Sequence, residues 1–208
     1  MNWDIPLNAV FGYLLGSIPF GLVVGYLWTG KDIRTVGSGK TGATNVLRTA
    51  GRLPAALVVV ADIAKGSAPA LAGRFVFESD AAAAVGASAA IAGHVWPVFA
   101  GFRGGRGVAT AFGGILGLAP LVSLLFPVIA AIIIIPTRYV SLMSVVGTPL
   151  CAAIIVVGGA MGWWAPEWGW YAAFAAAVVV YMHVPNIRRL LAGTEPKLGR
   201  GGTSPATG

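Results

Sequence analysis

Long runs of apolar residues dominate the chain and limit what it can fold into. A helix needs about 20 mostly apolar residues to cross the hydrocarbon core of a membrane, or about 17 if the span is short. Runs close to this length, without the alternation of a β-strand, occupy residues 5–28, 53–72, 81–100, 141–162 and 170–184. Only 10% of the 208 residues are charged, against about a quarter in a soluble domain. We therefore predict an all-α integral membrane protein, and the composition excludes a disordered chain.

One further apolar stretch, 108–135, is long for a single span and short for two. Gly113, Gly114, Gly117 and Pro120 interrupt it, and helices often break at such residues. We predict two short, tilted helices hinged near Pro120. This gives a bundle of about seven transmembrane helices, whereas one long span would give six.

The basic residues favour seven spans. Cytoplasmic loops of membrane proteins carry an excess of Lys and Arg. With seven spans and the N-terminus outside, only Arg74 lies outside and Lys65 lies within a span. All the others then face the cytoplasm: Lys31, Arg34, Lys40, Arg48, Arg52, Arg103, Arg106, Arg138, Arg188, Arg189, Lys197 and Arg200.

This distribution predicts a multi-pass protein of the cell (plasma or inner) membrane, with its C-terminus and its site on the cytoplasmic face. Residues 1–195 form one transmembrane domain, and 196–208 form a disordered tail. The net charge of +7 marks cytoplasmic loops and sites for anionic ligands, so nucleic acid is not an expected partner.

The first predicted cytoplasmic loop has a glycine-rich core without large apolar side chains. Glycines let backbone N–H groups turn inward around an anion. A helix starting near Thr44 would add partial positive charge at its N-terminus. We predict that this loop binds phosphate, the alternative being a flexible linker. Its candidate residues are Gly37, Ser38, Gly39, Lys40, Thr41, Gly42, Ala43, Thr44, Asn45 and Arg48.

Two more segments on the same face combine cations with glycine or polar groups. For the segment around Arg106, the alternative is a plain positive membrane anchor. For the segment that begins at His183, the alternative is a capped helix end. Because three such segments share one face, we predict a single site for phosphate groups, with a groove between Gly- and Ala-rich helices for an apolar part of the substrate. The candidates are Gly104, Gly105, Arg106 and Gly107 in one segment and His183, Asn186 and Glu195 in the other. Candidates of second rank are Arg138, Ser141 and Ser144.

Three polar residues fall within or beside the apolar runs. Asp62 and Lys65 are three residues apart, on one helical face, and charges at membrane depth are usually paired or functional. A mutual salt bridge is our prediction, and contact with substrate is the alternative. His94 lies near a predicted membrane boundary, where a hydrogen bond at a helix end is favoured over catalysis.

These motifs, in their order and spacing, resemble those of the bacterial acyl-phosphate-dependent glycerol-3-phosphate acyltransferases, small integral membrane enzymes of phospholipid synthesis. The similarity runs from GSIPFG at 16–21 through DIRTVGSG, GATN, the Asp62/Lys65 pair, GHVWPVF, GGRGVAT and TRYVSLMS to HVPNIRRLLAGTEPK. The resemblance implies transfer of a fatty acyl group from acyl phosphate to the sn-1 hydroxyl of glycerol 3-phosphate. The products would be lysophosphatidic acid (1-acylglycerol 3-phosphate) and phosphate.

The resemblance also implies which residues act and what else is needed. No cofactor or metal is expected, and the lipid bilayer and the enzyme that supplies acyl phosphate are further partners. Two positions depart from the family: it usually has Asn and a small apolar residue or Pro where Lys40-Thr41 stand, and Lys where Arg106 stands. The residues implied are Ser38, Gly42, Arg48, Gly104, Arg106, Gly107, His183, Asn186 and Glu195.

Two other functions remain open at this point. A transporter of a phosphorylated small anion would explain cations and spans, although no repeated half is visible. An acyltransferase using acyl-CoA is the third possibility, but no Asp lies five residues after His94 or His183, as an HxxxxD motif requires. The proton acceptor also stays open between His183 and the phosphate of the substrate.

Overall fold

A computed structural model describes residues 3–199, and every regular element within them is helical. The predicted all-α class is confirmed. The helices are α1 (Asp4–Gly16), α2 (Phe20–Thr29), α3 (Ala43–Thr49), α4 (Arg52–Phe75), α5 (Asp80–Val95), α6 (Val108–Leu118), α7 (Pro120–Ser123), α8 (Leu125–Thr137), α9 (Val140–Ala160), α10 (Glu167–Met182) and α11 (Val184–Leu191). Single 3-10 turns lie at Ile33–Thr35 and Val98–Ala100.

Five helical segments within residues 3–199 are long and apolar enough to cross a membrane. They are Asp4–Thr29, Arg52–Phe75, Asp80–Ala100, Pro120–Thr137 and Val140–Ala160. The bent pair α10–α11 makes a sixth if it counts as one span. Helix α6 is apolar but has only 11 residues. By length and composition, the described chain therefore has five or six spans, and the seventh depends on α6.

The predicted hinge near Pro120 is confirmed. Helix α6 ends at Leu118 and α7 begins at Pro120, because proline lacks an N–H and disfavours helical geometry in the residue before it. The last carbonyls of a helix have no partner within it. Arg74 Nη1 fills this need by donating to the carbonyls of Gly117 (2.8 Å) and Leu118 (3.2 Å).

The first span is broken, which the uninterrupted prediction for 5–28 did not anticipate. Helix α1 ends at Gly16 and α2 begins at Phe20, with Pro19 in the break. The break frees the carbonyl of Ile18, which accepts a hydrogen bond from Lys65 Nζ at 3.0 Å. The break therefore presents a backbone acceptor to a buried charge of α4.

Small residues let the helices approach closely. A Cβ atom on Gly12 would overlap the carbonyl of Gly86 where α1 packs on α5, and one on Gly113 would overlap the carbonyl of Ile63 where α6 packs on α4. Asn8 adds polar contacts, since its Nδ2 donates to Pro69 O (2.9 Å) and Ala82 O (2.7 Å). Such contacts are typical of helix association in membranes.

The basic loops meet at one end of the bundle. Arg34 Nη1 donates to Ala100 O at 3.2 Å, and Arg138 pairs with the backbone of Leu198. At the opposite end, Arg74 lies 5.0 Å from the Trp168 ring. The predicted disordered tail, 196–208, stays a prediction: Leu198 is held by Arg138, and residues 200–208 lie outside the described part of the chain.

Candidate active site

Arg106 of the second predicted segment lies within electrostatic reach of charged residues in the other two. Its guanidinium is half-buried, and Nε is buried without a hydrogen-bond partner in the described chain. Burial lowers the pKa of Arg106, the carboxylate of Glu195 opposes this shift, and the charges of Arg189 and Arg48 reinforce it. Residues of the first and third segments therefore lie within electrostatic reach of the second.

Glu195 organises the third segment. Its side chain is buried and accepts hydrogen bonds from Asn186 Nδ2 (2.7 Å) and Arg189 Nε (2.8 Å). Burial raises the pKa of Glu195, but contacts with Ser141, Asn186 and Arg189 outweigh it, so the pKa lies below its usual value. Ser141 lies close enough to contribute, although its hydroxyl makes no hydrogen bond of good geometry. Glu195 is thus an ionised clamp that orients an amide and a guanidinium.

His183 occupies the bend between α10 and α11, which turn by 57° relative to each other. Its Nδ1 lies 2.7 Å from the carbonyl oxygen of Val179. A carbonyl can only accept, so Nδ1 carries the hydrogen and Nε2 is the acceptor of the neutral ring. The imidazole is buried and within electrostatic reach of Arg106 and Glu195. The ring is therefore oriented by its own helix.

The glycines of the second segment are explained by packing. The backbone N–H of Gly105 donates to His94 O (3.1 Å) and that of Gly104 to Val95 O (3.2 Å). A Cβ on Gly105 would overlap the His94 ring, and one on Gly104 would overlap the His94 carbonyl. Gly107 has a φ of +82°, which favours glycine. A ligand close to the backbone is therefore not needed to explain these glycines.

Asn45 holds the first loop together. Its Nδ2 donates to the carbonyls of Ile33, Val36 and Lys40 at 2.8–3.1 Å, and its Oδ1 accepts from the N–H of Ser38 at 3.0 Å. The structure thus places the predicted binding residue Asn45 in a supporting position, with its amide hydrogens committed to the loop. The predicted helix start is confirmed, since α3 begins at Ala43.

Gly37 and Gly42 of this loop differ in their surroundings. Gly37 has a φ of +63°, and a Cβ there would overlap Asn45 Oδ1. Gly42 has an extended backbone, and a Cβ there would meet nothing within 4 Å. Packing and backbone geometry therefore explain Gly37 but not Gly42.

The other predicted residues are less closely linked to Arg106. Ser144 Oγ donates to Val140 O at 3.0 Å, within its own helix, and Arg138 binds Leu198. Thr41 is buried. Six further candidates lie in the first loop. Within residues 3–199, none of them forms a side-chain hydrogen bond or ion pair with the other two segments: Ser38, Gly39, Lys40, Thr41, Ala43 and Thr44.

Two features of this region were not predicted from the sequence. Arg189 binds Glu195, and its position in the arginine pair of the third motif was the available signal. His94 Nδ1 lies 3.5 Å from Asp62 Oδ1, in addition to the predicted Asp62–Lys65 salt bridge, which is confirmed at 2.9 Å. The similar depth of Asp62 and His94 in neighbouring spans could have indicated this contact.

Comparison with known proteins gives a consistent result. The sequence model of the family described as glycerol-3-phosphate acyltransferase matches residues 7–193. Glycerol-3-phosphate acyltransferase 3 of Dehalococcoides mccartyi is 42% identical, with 92% of this chain and 94% of the relative covered. The glycerol-3-phosphate acyltransferase of Mesorhizobium japonicum is 43% identical, with 97% and 100% covered.

Two solved structures share the fold. Both are crystal structures of PlsY (YgiH), an integral membrane glycerol 3-phosphate acyltransferase, and both are 38% identical to this chain. The glycerol 3-phosphate form has a TM-score of 0.86 over 94% of this chain and 96% of that one. The lysophosphatidic acid form has a TM-score of 0.84 over 94% and 95%. This integral membrane protein therefore belongs to the glycerol-3-phosphate acyltransferase family.

Proposed function

We propose that this protein transfers a fatty acyl group from acyl phosphate to the sn-1 hydroxyl of glycerol 3-phosphate. The products are 1-acylglycerol 3-phosphate, which is lysophosphatidic acid, and inorganic phosphate. The observation that carries the proposal is the half-buried guanidinium of Arg106, whose Nε has no hydrogen-bond partner within residues 3–199 and which lies within electrostatic reach of Arg48 and Arg189. Arg189 is paired with Glu195, but Arg106 and Arg48 form no salt bridge within residues 3–199, and two phosphate-bearing substrates would supply anions for them.

The donor is proposed from its chemistry and from the family resemblance. Acyl phosphate is a mixed anhydride and is already activated, so the protein need not form a covalent intermediate. The hydroxyl oxygen of glycerol 3-phosphate attacks the acyl carbon, and the bond from that carbon to the phosphate oxygen breaks. The hydroxyl proton passes to a phosphate oxygen or to His183. Positioning and stabilisation of the leaving phosphate are the work left for the protein.

Each segment has a role in this scheme. The loop 37–45 with Arg48 binds the phosphate of the donor. Arg106, Asn186 and His183 bind glycerol 3-phosphate. Glu195 acts through Asn186 and Arg189, which it holds by hydrogen bonds of 2.7 and 2.8 Å.

His183 variants separate binding from proton transfer. His183→Ala should lower kcat/KM about 10-fold or more, because the substrate loses an oriented partner. His183→Gln should recover much of the rate, since an amide can still hydrogen-bond while the phosphate accepts the proton. Steady-state kinetics with glycerol 3-phosphate varied would measure both. A Gln variant as slow as the Ala variant, with unchanged glycerol 3-phosphate binding, would instead identify His183 as the base, a role typically worth about 100-fold or more.

We further propose seven spans with the N-terminus outside and the site facing the cytoplasm of a cell (plasma or inner) membrane. Helix α6 is only about 16 Å long, but it begins at Val108, directly after the second basic segment, and ends at Leu118, whose carbonyl accepts from Arg74. It therefore joins the two ends of the bundle.

Cysteine labelling tests this topology. In a Cys151→Ala background, which removes the one native thiol, cysteines at the exposed positions Arg103 and Ala192 should react only from the cytoplasmic side. A cysteine at Met161, exposed at the other end of the bundle, should react only from outside. Labelling of position 192 from outside would contradict the seven-span arrangement.

Product analysis tests the activity itself. Purified protein given radiolabelled glycerol 3-phosphate and an acyl phosphate should form lysophosphatidic acid and inorganic phosphate in equal amounts. The matched test uses proteoliposomes. Accumulation of labelled glycerol 3-phosphate inside them, with no lysophosphatidic acid formed, would show a transporter and would overturn the proposal.

A further inference from the structure

A cluster of ionisable side chains lies inside the bundle, formed by residues outside the three predicted segments. Lys65 Nζ lies 2.9 Å from Asp62 Oδ1, and the two side chains are each 2% exposed. His94 Nδ1, on the neighbouring helix α5, lies 3.5 Å from the same oxygen, and its side chain is 6% exposed. Burying charged groups is costly unless they are paired. The proposed acyl-transfer mechanism assigns no role to these three residues.

The His94 side of the cluster contacts the second segment. The His94 carbonyl accepts the N–H of Gly105 at 3.1 Å, and its ring lies so close to Gly105 that a Cβ there would overlap Nε2. Asp62 faces the other ring nitrogen, Nδ1. The carboxylate and Gly105 therefore face the ring from opposite sides, the carboxylate at 3.5 Å without a hydrogen bond of good geometry among the described residues. Arg106 is the next residue in the chain.

The Lys65 side of the cluster contacts the break in the first span. Lys65 Nζ donates to Ile18 O at 3.0 Å. Three residues later, Gly21 packs so tightly that a Cβ would overlap the carbonyl of Thr41, in the first loop. Ile18, Thr41 and the whole cluster line the same small pocket. The cluster thus contacts the second segment through His94, and through Lys65 it contacts the helix break that packs against the first loop.

We propose that Asp62, Lys65 and His94 form a positioning cluster that holds the second segment, and through it the Arg106 guanidinium, in register with the first loop. The cluster does not touch substrate. The Asp62 carboxylate attracts the His94 ring, the carbonyls of His94 and Val95 hold the N–H groups of Gly105 and Gly104, and these two glycines set the direction of Arg106. The inference rests on the proposed role of Arg106 as a ligand of the glycerol 3-phosphate phosphate.

A double-mutant cycle measures this dependence. His94→Asn keeps an amide near the position of Nδ1, facing Asp62, and removes the half of the ring that lies against Gly105. It should lower kcat/KM for glycerol 3-phosphate by about 10- to 100-fold, mainly through KM. In an Arg106→Met background the same change should have little further effect. The matched control on α5 is Ser88→Ala, whose hydroxyl only donates to Ala84 O within the helix.

A second pair of variants tests the contact between the ring and Gly105. Gly105→Ala should lower kcat/KM, because its methyl group overlaps His94. Adding His94→Asn should then restore part of the loss, since the shorter side chain leaves room for the methyl group. Two results together would show a general packing role and overturn the proposal. The first is that His94→Asn lowers kcat/KM equally in the wild-type and Arg106→Met backgrounds. The second is that the His94→Asn, Gly105→Ala double variant shows no recovery.

A measurement without turnover separates this inference from the proposed function. With Cys151→Ala and Arg106→Cys, the reaction rate of the thiol with a small charged methanethiosulfonate reagent reports the position of residue 106. His94→Asn should change that rate about 10-fold, while Ser88→Ala should not. If the wild type forms no lysophosphatidic acid, the proposed function fails, yet the labelling rate still tests positioning. An unchanged labelling rate would overturn the positioning role even if the enzyme is active.

Discussion

Replacing Arg106 with methionine should lower kcat/KM for glycerol 3-phosphate by about 100- to 1000-fold, the cost of removing one preorganised charged donor from a site of this kind. Methionine fills similar space without charge. Arg106 is half-buried, its Nε has no hydrogen-bond partner in the part of the chain that the structure describes, and it lies within electrostatic reach of charges from the first and third segments. The loss should therefore fall on substrate binding and turnover, and the thermal midpoint should change little.

Two controls accompany this variant. Arg106→Lys should retain activity within about 10-fold, because lysine keeps the charge but loses the planar fork of donors. Arg103→Met removes an exposed arginine from the same loop and should leave kcat/KM nearly unchanged. If Arg106→Met and Arg103→Met had equal kinetics, Arg106 would be a membrane anchor and not a substrate ligand.

Gly42→Val should lower kcat/KM by about 100-fold with the protein still folded. A Cβ at Gly42 meets no atom of residues 3–199 within 4 Å, and the backbone there is extended, so a β-branched side chain can start there without a clash at Cβ. If the acyl phosphate approaches the backbone at Gly42, the added side chain takes up the space of the ligand. Kinetics with the acyl donor varied, together with a thermal melt, would measure both effects.

Gly37→Ala provides the contrast. A Cβ there overlaps Asn45 Oδ1, and the φ of +63° disfavours alanine, so this variant should lose stability as well as activity. Normal turnover of the Gly42→Val protein would show that the first loop is a linker. A Gly42→Val protein that unfolds as readily as Gly37→Ala would show that Gly42 is structural.

Much of the fold follows from hydrophobic length and from proline. The run predicted at 53–72 becomes α4, Arg52–Phe75, and the hinge predicted near Pro120 separates α6 from α7. The break at Pro19 was missed because the run 5–28 has the length of a single span, although Gly16, Ser17 and Pro19 interrupt it. A break inside the bundle is tolerated when the freed backbone groups find partners, and here the Ile18 carbonyl accepts from the N–H of Phe20 and from Lys65 Nζ.

The candidate site was predicted by residue type more readily than by role. Glycine, cations and polar groups on one face indicated an anion site, and the structure brings Arg48, Arg106 and Glu195 within electrostatic reach. The role of Asn45 depends on its hydrogen bond to Ile33, which lies 12 positions earlier in the chain. The role of Gly105 depends on its contact with the ring of His94, which lies on α5. A single sequence does not contain such distances, so packing glycines and ligand-facing glycines looked alike.

The most direct test offers purified protein three competing acyl donors, namely acyl phosphate, acyl-CoA and acyl-carrier protein, each with the same fatty chain, in the presence of glycerol 3-phosphate. We expect lysophosphatidic acid to form from acyl phosphate with release of one phosphate per product, and this reaction to be lost in Arg106→Met. Product formed from acyl-CoA or acyl-carrier protein but not from acyl phosphate would contradict the proposed reaction.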